Sequence, residues 1–182
     1  MKKLNLPLNK NDFASLKAGE EVVLNGIIYT ARDQAHKRLV EAIKKKQKLP
    51  IDLVSAVIYY CGPTQARKGK IIGSCGPTTS SRMDEFTAVL LKAGLYAMIG
   101  KGNRSQEVVN VIKQNKAIYF LTYAGCGALL SKYIKTKKLA AYGDLGPEAI
   151  CQLEVENFPA IVAIDTKGNN IYKKANTKIK QI

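Results

Sequence analysis

The stretch LYAMIGKGNRSQEVVNVIKQNKAIYFLTY, residues 95–123, decides the fold class. Its first five residues are a β-favouring apolar run, and a glycine-flanked basic turn, Gly100-Lys101-Gly102-Asn103-Arg104-Ser105, follows. The spacing then predicts a helix over 105–114 and a second β run over 117–123. A strand, a helix and a strand in this order are the repeating unit of layered α/β proteins.

Working outward, the same alternation continues in both directions. Residues 79–93 are predicted as a helix with Met83, Phe86, Val89 and Leu90 on one face. Before it come two β runs, 53–60 and 70–74, each ended by the tetrapeptide Cys-Gly-Pro-Thr, at 61–64 and at 75–78. Helix 31–46, stopped by Pro50, is preceded by 20–30, where Asn25-Gly26 joins two apolar runs and predicts a hairpin with a type I′ turn. Downstream, helices near 127–134 and 148–153 flank a β run at 139–142. A last hairpin is predicted with 160–165 and 170–172 around Lys167-Gly168-Asn169. Alternating elements with two hairpins predict a single α/β layered domain with a mixed sheet. No linker divides the 182 residues; 1–18 read as an N-terminal extension and 173–182 as a basic C-terminal tail.

Composition narrows the function classes. The formal charge is +15 and 46% of residues are hydrophobic, too many for a disordered polycation. The charge raises a nucleic-acid-binding module as one hypothesis. Yet the cations are 24 Lys and 5 Arg, in clusters without the interleaved aromatic-Gly pattern of RNA-binding motifs, as expected of solvated surfaces. The longest apolar stretch, 117–130, is too broken for a membrane span, and no signal core follows the basic start, so the expectation is a cytoplasmic protein. Cys61, Cys75, Cys126 and Cys151 form no CxxC pair, which predicts reduced thiols in or near the core and no metal site.

Three junctions carry chemistry. In Gly76-Pro77-Thr78-Thr79-Ser80-Ser81-Arg82-Met83-Asp84, four hydroxyl residues and an arginine open a helix, whose unpaired N–H groups favour an anion. The simpler alternative is a capping box of Ser81 and Asp84. Arg32 stands where a β run passes into a helix, with the one histidine, His36, four residues on; that histidine reads as structural or functional. The basic turn at Lys101 lacks the Walker A pattern but suits a small anion. Together the junctions favour grasping a small polycarboxylate and supply no nucleophile–base pair.

The stretches TARDQAHKRL (30–39), GSCGPTTSSRMD (73–84), GKGNRS (100–105), YAGCGALL (123–130), YGDLGPEAI (142–150) and LEVENFPAIVAID (153–165) resemble, in order, the β subunit or C-terminal domain of class I fumarate hydratases and the related L(+)-tartrate dehydratases. The resemblance implies a swivelling β/β/α domain that closes over an α subunit. That subunit would hold a [4Fe–4S] cluster through three cysteines, in an α2β2 hetero-oligomer. It also implies reversible hydration of fumarate to (S)-malate, or dehydration of tartrate to oxaloacetate. By motif position, Arg32, Thr79, Arg82 and Lys101 would bind the substrate carboxylates, and Thr78 would move the proton. Cys before both Gly-Pro pairs, at 61 and 75, departs from the usual family pattern.

Overall fold

The computed structural model describes residues 1–7, 10–54 and 56–173. Most of the basic tail expected at 173–182 lies outside them. The element order is β1 (Lys2–Asn5), α1 (Lys10–Ala14), β2 (Glu21–Thr30), α2 (Asp33–Lys44), β3 (Val57–Tyr59), α3 (Asp84–Lys92), β4 (Ala97–Gly100), α4 (Gln106–Asn115), β5 (Ile118–Leu121), α5 (Gly127–Leu130), β6 (Ile134–Ala141) and β7 (Ile150–Ile164). Strands β1 to β5 pair in parallel; β7 runs antiparallel to β2, β5 and β6 at once. The long β7 thereby pairs with both β2 and β5 and closes the sheet on itself.

Side-chain alternation shows why the layers form. In β3 to β5, Val57, Tyr59, Ala97, Ile99, Ile118 and Phe120 enter one core, shared with Leu153, Val155, Phe158 and Val162 of β7. Their neighbours Ile58, Met98 and Tyr119 enter a second core with Leu39, Leu90 and Ile112 from the helices. Strands buried on both faces are continuously apolar, as parallel strands between two layers must be. The result is one mixed sheet closed by β7 around the first core, with helices packed on its other face, an α/β domain as the alternation predicts.

Several local expectations are corrected. Residues 21–30, expected as a hairpin over 20–30, form one strand. Asn25-Gly26 makes a bulge in it, Gly26 taking φ +113° where a Cβ would come within 2.7 Å of the Leu6 carbonyl oxygen, because β7 offers a continuous partner on both sides of the irregularity. Residues 70–74 belong to a loop over 64–74 closed by Thr64 N–H donating to the Ser74 carbonyl at 3.0 Å, and among the described residues no strand pairs with them. Of the helix expected at 148–153, Glu148 ends a 3-10 turn and residues 150–153 are the start of β7, since β6 pairs with that strand from Ala141 back to Ile134. The 127–134 helix stops at Leu130, and Ile134 already belongs to β6. The last hairpin is reduced to one bridge, Ile164 with Asn170, around a turn held by the Asp165 carboxylate. Residues 2–5, placed in an N-terminal extension, are strand β1. Lys44, Lys45, Lys46 and Lys48 at the end of α2 and Lys135, Lys137 and Lys138 along β6 are exposed. Among the described residues no helix is long and apolar enough to cross a membrane.

Candidate active site

Beyond the last residues of the parallel strands the backbone ladder continues through loop residues. Ala31 N–H donates to Tyr59 O, Tyr60 N–H to Ile99 O, Thr78 N–H to Tyr60 O at 2.8 Å, and Ser80 N–H to Lys101 O at 3.1 Å. Thr79 and Lys101 form an isolated parallel bridge. These bonds set Arg32, Thr78, Thr79 and Lys101 along the carboxyl edge of β2, β3 and β4, the edge where α/β sheets bind ligands.

Arg82 joins them through a shared carboxylate. Its Nε donates to Asp33 Oδ1 at 2.9 Å, while Arg32 Nε donates to Asp33 Oδ2 at 3.4 Å. Glu148 lies 3.5 Å from Arg32 Nη2 and accepts the Gln34 N–H at 2.8 Å, placing negative charge at the start of α2. Arg82 is half exposed and uses only Nε here, so its Nη donors remain for a further acceptor. Among the described residues the hydroxyls of Thr78 and Thr79 and the Lys101 ammonium make no hydrogen bond or ion pair. The five residues are therefore brought to one edge, with donors unspent.

The hydroxyl cluster does something other than cap. Residues 80–83 are a 3-10 turn, α3 begins only at Asp84, and neither start has a side-chain cap. The Ser81–Asp84 capping box is absent because Asp84 turns to Arg104 Nε and to the Ser105 N–H, the latter at 2.8 Å. Sequence reasoning missed Arg104, Asp84, Ser80 and Tyr119 as a set. The available signal was the arginine inside the basic turn.

His36 is wholly buried, edge-on to Tyr60 and beside Phe86, with Nδ1 donating to the Arg32 carbonyl at 3.0 Å. That bond places the proton on Nδ1 and leaves Nε2 without a hydrogen-bond partner. Burial pushes its pKa down to about 4. The ring is neutral packing behind Arg32, so the structural reading of His36 fits its place. Cys61, Cys75 and Cys151 are buried and free, whereas Cys126 is exposed, unlike the core position expected of it. Among the described residues no three His, Cys, Asp or Glu side chains gather as a metal site. A groove of about 580 Å³ lies apart from these cations, between the 64–74 loop and residues 128–134.

Fold and site define an α/β domain that presents arginines, a lysine and unbonded hydroxyls at one sheet edge. The comparisons agree with this class. The family model described as the fumarase C-terminus matches residues 1–175. The chain belongs to that family. It is 40% identical over 178 residues to a Methanocaldococcus jannaschii protein provisionally named L(+)-tartrate dehydratase subunit beta, covering 94% of this chain and 91% of the relative. It is 37% identical to fumarate hydratase 2 of Leishmania major, covering 94% of this chain and 31% of the relative. To the anaerobic class I fumarate hydratase of Escherichia coli it is 39% identical, covering 85% of this chain and 29% of that enzyme. The chain thus spans nearly all of the first relative and about a third of the other two.

Proposed function

We propose that this chain is the β subunit of a class I fumarate hydratase, a hydro-lyase that interconverts fumarate and (S)-malate together with an α subunit. The observation that carries the reading is the convergence of Arg32, Arg82, Thr78, Thr79 and Lys101 on one sheet edge. A dicarboxylate needs a cationic contact at each end, and two arginines plus a lysine supply them with directional donors. Thr79 adds a hydroxyl to the same groups.

Removing the proton beside a carboxylate drives negative charge onto that carboxylate. Preorganised cations stabilise this charge more than the ground state, which is what accelerates the step. Thr78 moves the proton at that carbon. A free threonine is a very weak base, so its hydroxyl requires activation by a group on the partner. Thr79 and Arg82 are exposed and Arg32, Thr78 and Lys101 half-buried in this chain, as expected of a surface completed by another subunit.

The described residues do not fit an iron–sulfur cluster, since three of the cysteines are buried and no ligand set gathers. On this reading the [4Fe–4S] cluster is held by the α subunit, where it supplies Lewis-acid chemistry to the hydroxyl that enters or leaves. L(+)-tartrate is the second substrate reading, favoured by the relative of nearly equal length.

The test is anaerobic co-purification with the α subunit and assay on both substrates. Fumarate hydration is expected, and Arg82→Ala should lower kcat/KM by about 10³-fold or more, the scale of a lost charge-assisted pair. Turnover of tartrate alone selects the second reading. An assembled pair inactive on both substrates would overturn the proposal.

A further inference from the structure

Arg104 sits in the basic turn between β4 and α4, yet its side chain is wholly buried. Its Nε pairs with Asp84 Oδ1, Nη2 donates to Thr87 Oγ1 at 2.7 Å, and Nη1 lies 3.5 Å from the Tyr60 hydroxyl. The guanidinium lies 5.5 Å from the Tyr60 ring centre and 5.1 Å from that of Tyr119. Beside it, the Tyr119 hydroxyl is 2.9 Å from Ser80 Oγ and 2.9 Å from the Gly102 carbonyl. With one proton it donates to Gly102 and accepts from Ser80. Ser80 Oγ in turn accepts the Lys101 N–H at 3.0 Å. The fit leaves no slack: a Cβ at Gly100 would lie 1.9 Å from Ser80 Oγ.

Burying a guanidinium carries a desolvation penalty, and an apolar residue of similar volume often gives equal or greater stability. What the ion pair adds over an apolar filler is direction. Among the described residues, the hydrogen-bond and ring partners of the Arg104 and Tyr119 side chains belong to one of two segments, to β4, to Tyr60 just beyond β3, or to the first turn of α3. One segment, 78–84, carries Thr78, Thr79 and Arg82. The other, 100–105, carries Lys101.

We infer that Arg104, with Tyr119 and Ser80, is a positioning group that locks the Lys101 turn onto the Thr78–Arg82 segment and so sets the spacing of the carboxylate donors. The inference rests on the proposed reading of those donors as a dicarboxylate site. None of the three touches substrate. They act through Lys101, Thr79 and Arg82.

The experiment uses the assembled α–β enzyme and two variants. Tyr119→Phe keeps the ring over Arg104 and deletes only the hydroxyl bonds; Arg104→Gln removes the fork. For Tyr119→Phe we expect KM for fumarate to rise about 3–10-fold with kcat within about 2-fold, and for Arg104→Gln a larger loss in kcat/KM. In a Lys101→Ala background the Tyr119→Phe effect should shrink below about 2-fold, because the route through Lys101 is already gone. Hydrogen exchange of the 100–105 amides should accelerate in both variants. If Arg104→Gln does not fold, Tyr119→Phe alone decides. A lower Tm with unchanged KM and unchanged exchange at 100–105, or a Tyr119→Phe effect that multiplies fully with Lys101→Ala, would overturn the inference. Faster exchange in an enzyme inactive on fumarate and tartrate would keep the positioning role and reject the dicarboxylate reading.

Discussion

The tetrapeptide Cys-Gly-Pro-Thr occurs twice and does two different jobs. In the first copy Gly62 lies under Arg32, where a Cβ would come within 2.9 Å of Cδ and Nη1, and Thr64 Oγ1 accepts the Ser74 N–H at 2.8 Å. That hydroxyl is spent closing the 64–74 loop. In the second copy Gly76 lies against the backbone of Gly127, and Thr78 gives its N–H to Tyr60 while its hydroxyl stays unbonded among the described residues. The two cysteines meet behind both turns, Sγ to Sγ 3.2 Å. The hydrogen bond to Cys75, then burial, hold the Cys61 thiol far above its ordinary pKa, so it stays protonated and packs as a small apolar group. Identical local chemistry thus yields a loop clasp in one place and a free hydroxyl at the sheet edge in the other. The difference lies in what each turn faces.

The sharpest way to break this comparison is to remove one methyl-neighbouring oxygen from each copy. Thr78→Val should lower kcat by about 10²–10⁴-fold in the assembled enzyme, the range of a lost proton-transfer group. Thr64→Val should leave turnover nearly intact and cost about 1 kcal/mol of stability in urea denaturation, the worth of one hydrogen bond. Equal kinetic losses in both would erase the distinction.

A second test concerns what stands behind Arg32, the residue that overlies the first copy. His36 titrates near 6.5 in the unfolded chain and near 4 when folded. A base with a depressed folded pKa gives the unfolded state the extra proton between those values. Stability is therefore complete above about pH 6.5 and falls as pH drops toward 4, by about 3 kcal/mol across the window. Denaturant midpoints from pH 7.5 down to 4.5 should show this slope, and His36→Asn, which keeps an N–H for the Arg32 carbonyl, should flatten it.

The smallest contrast is steric. Gly62→Ala must displace Arg32 or the Pro147 carbonyl at 3.0 Å and should raise KM about 10-fold, whereas Gly76→Ala needs only a few tenths of an ångström from Gly127 and should change KM by about 2-fold or less. A larger effect at Gly76 would mean that the second turn, and not Arg32, limits binding.

The β4–α4–β5 stretch was legible because each element carries its own periodicity: two strands buried on both faces, and a helix whose Ser105 side chain accepts the Val108 N–H. The apolar and polar positions there reflect neighbours a few residues away. Asn25-Gly26 was misread because a positive φ serves a bulge as well as a turn, and only the presence of β7 alongside distinguishes them. Residues 148–153 failed for the same reason, their pairing partner β6 lying upstream. The donors Arg32, Thr78, Thr79, Arg82 and Lys101 were legible as residue types at element junctions.

What the sequence by itself determined, then, is chemical identity and local rhythm: an α/β alternation, a family signature, and a set of cations and hydroxyls at strand ends. Only the tertiary structure decided which of two equal Cys-Gly-Pro-Thr turns keeps its threonine free, that Arg32 and Arg82 share Asp33, and that Arg104 is buried while Arg82 is not. Side-chain chemistry belongs to a residue, but burial and partnership belong to contacts between residues far apart in the chain. Those contacts exist only once β7 has closed over the sheet and the loops at its edge have been drawn together.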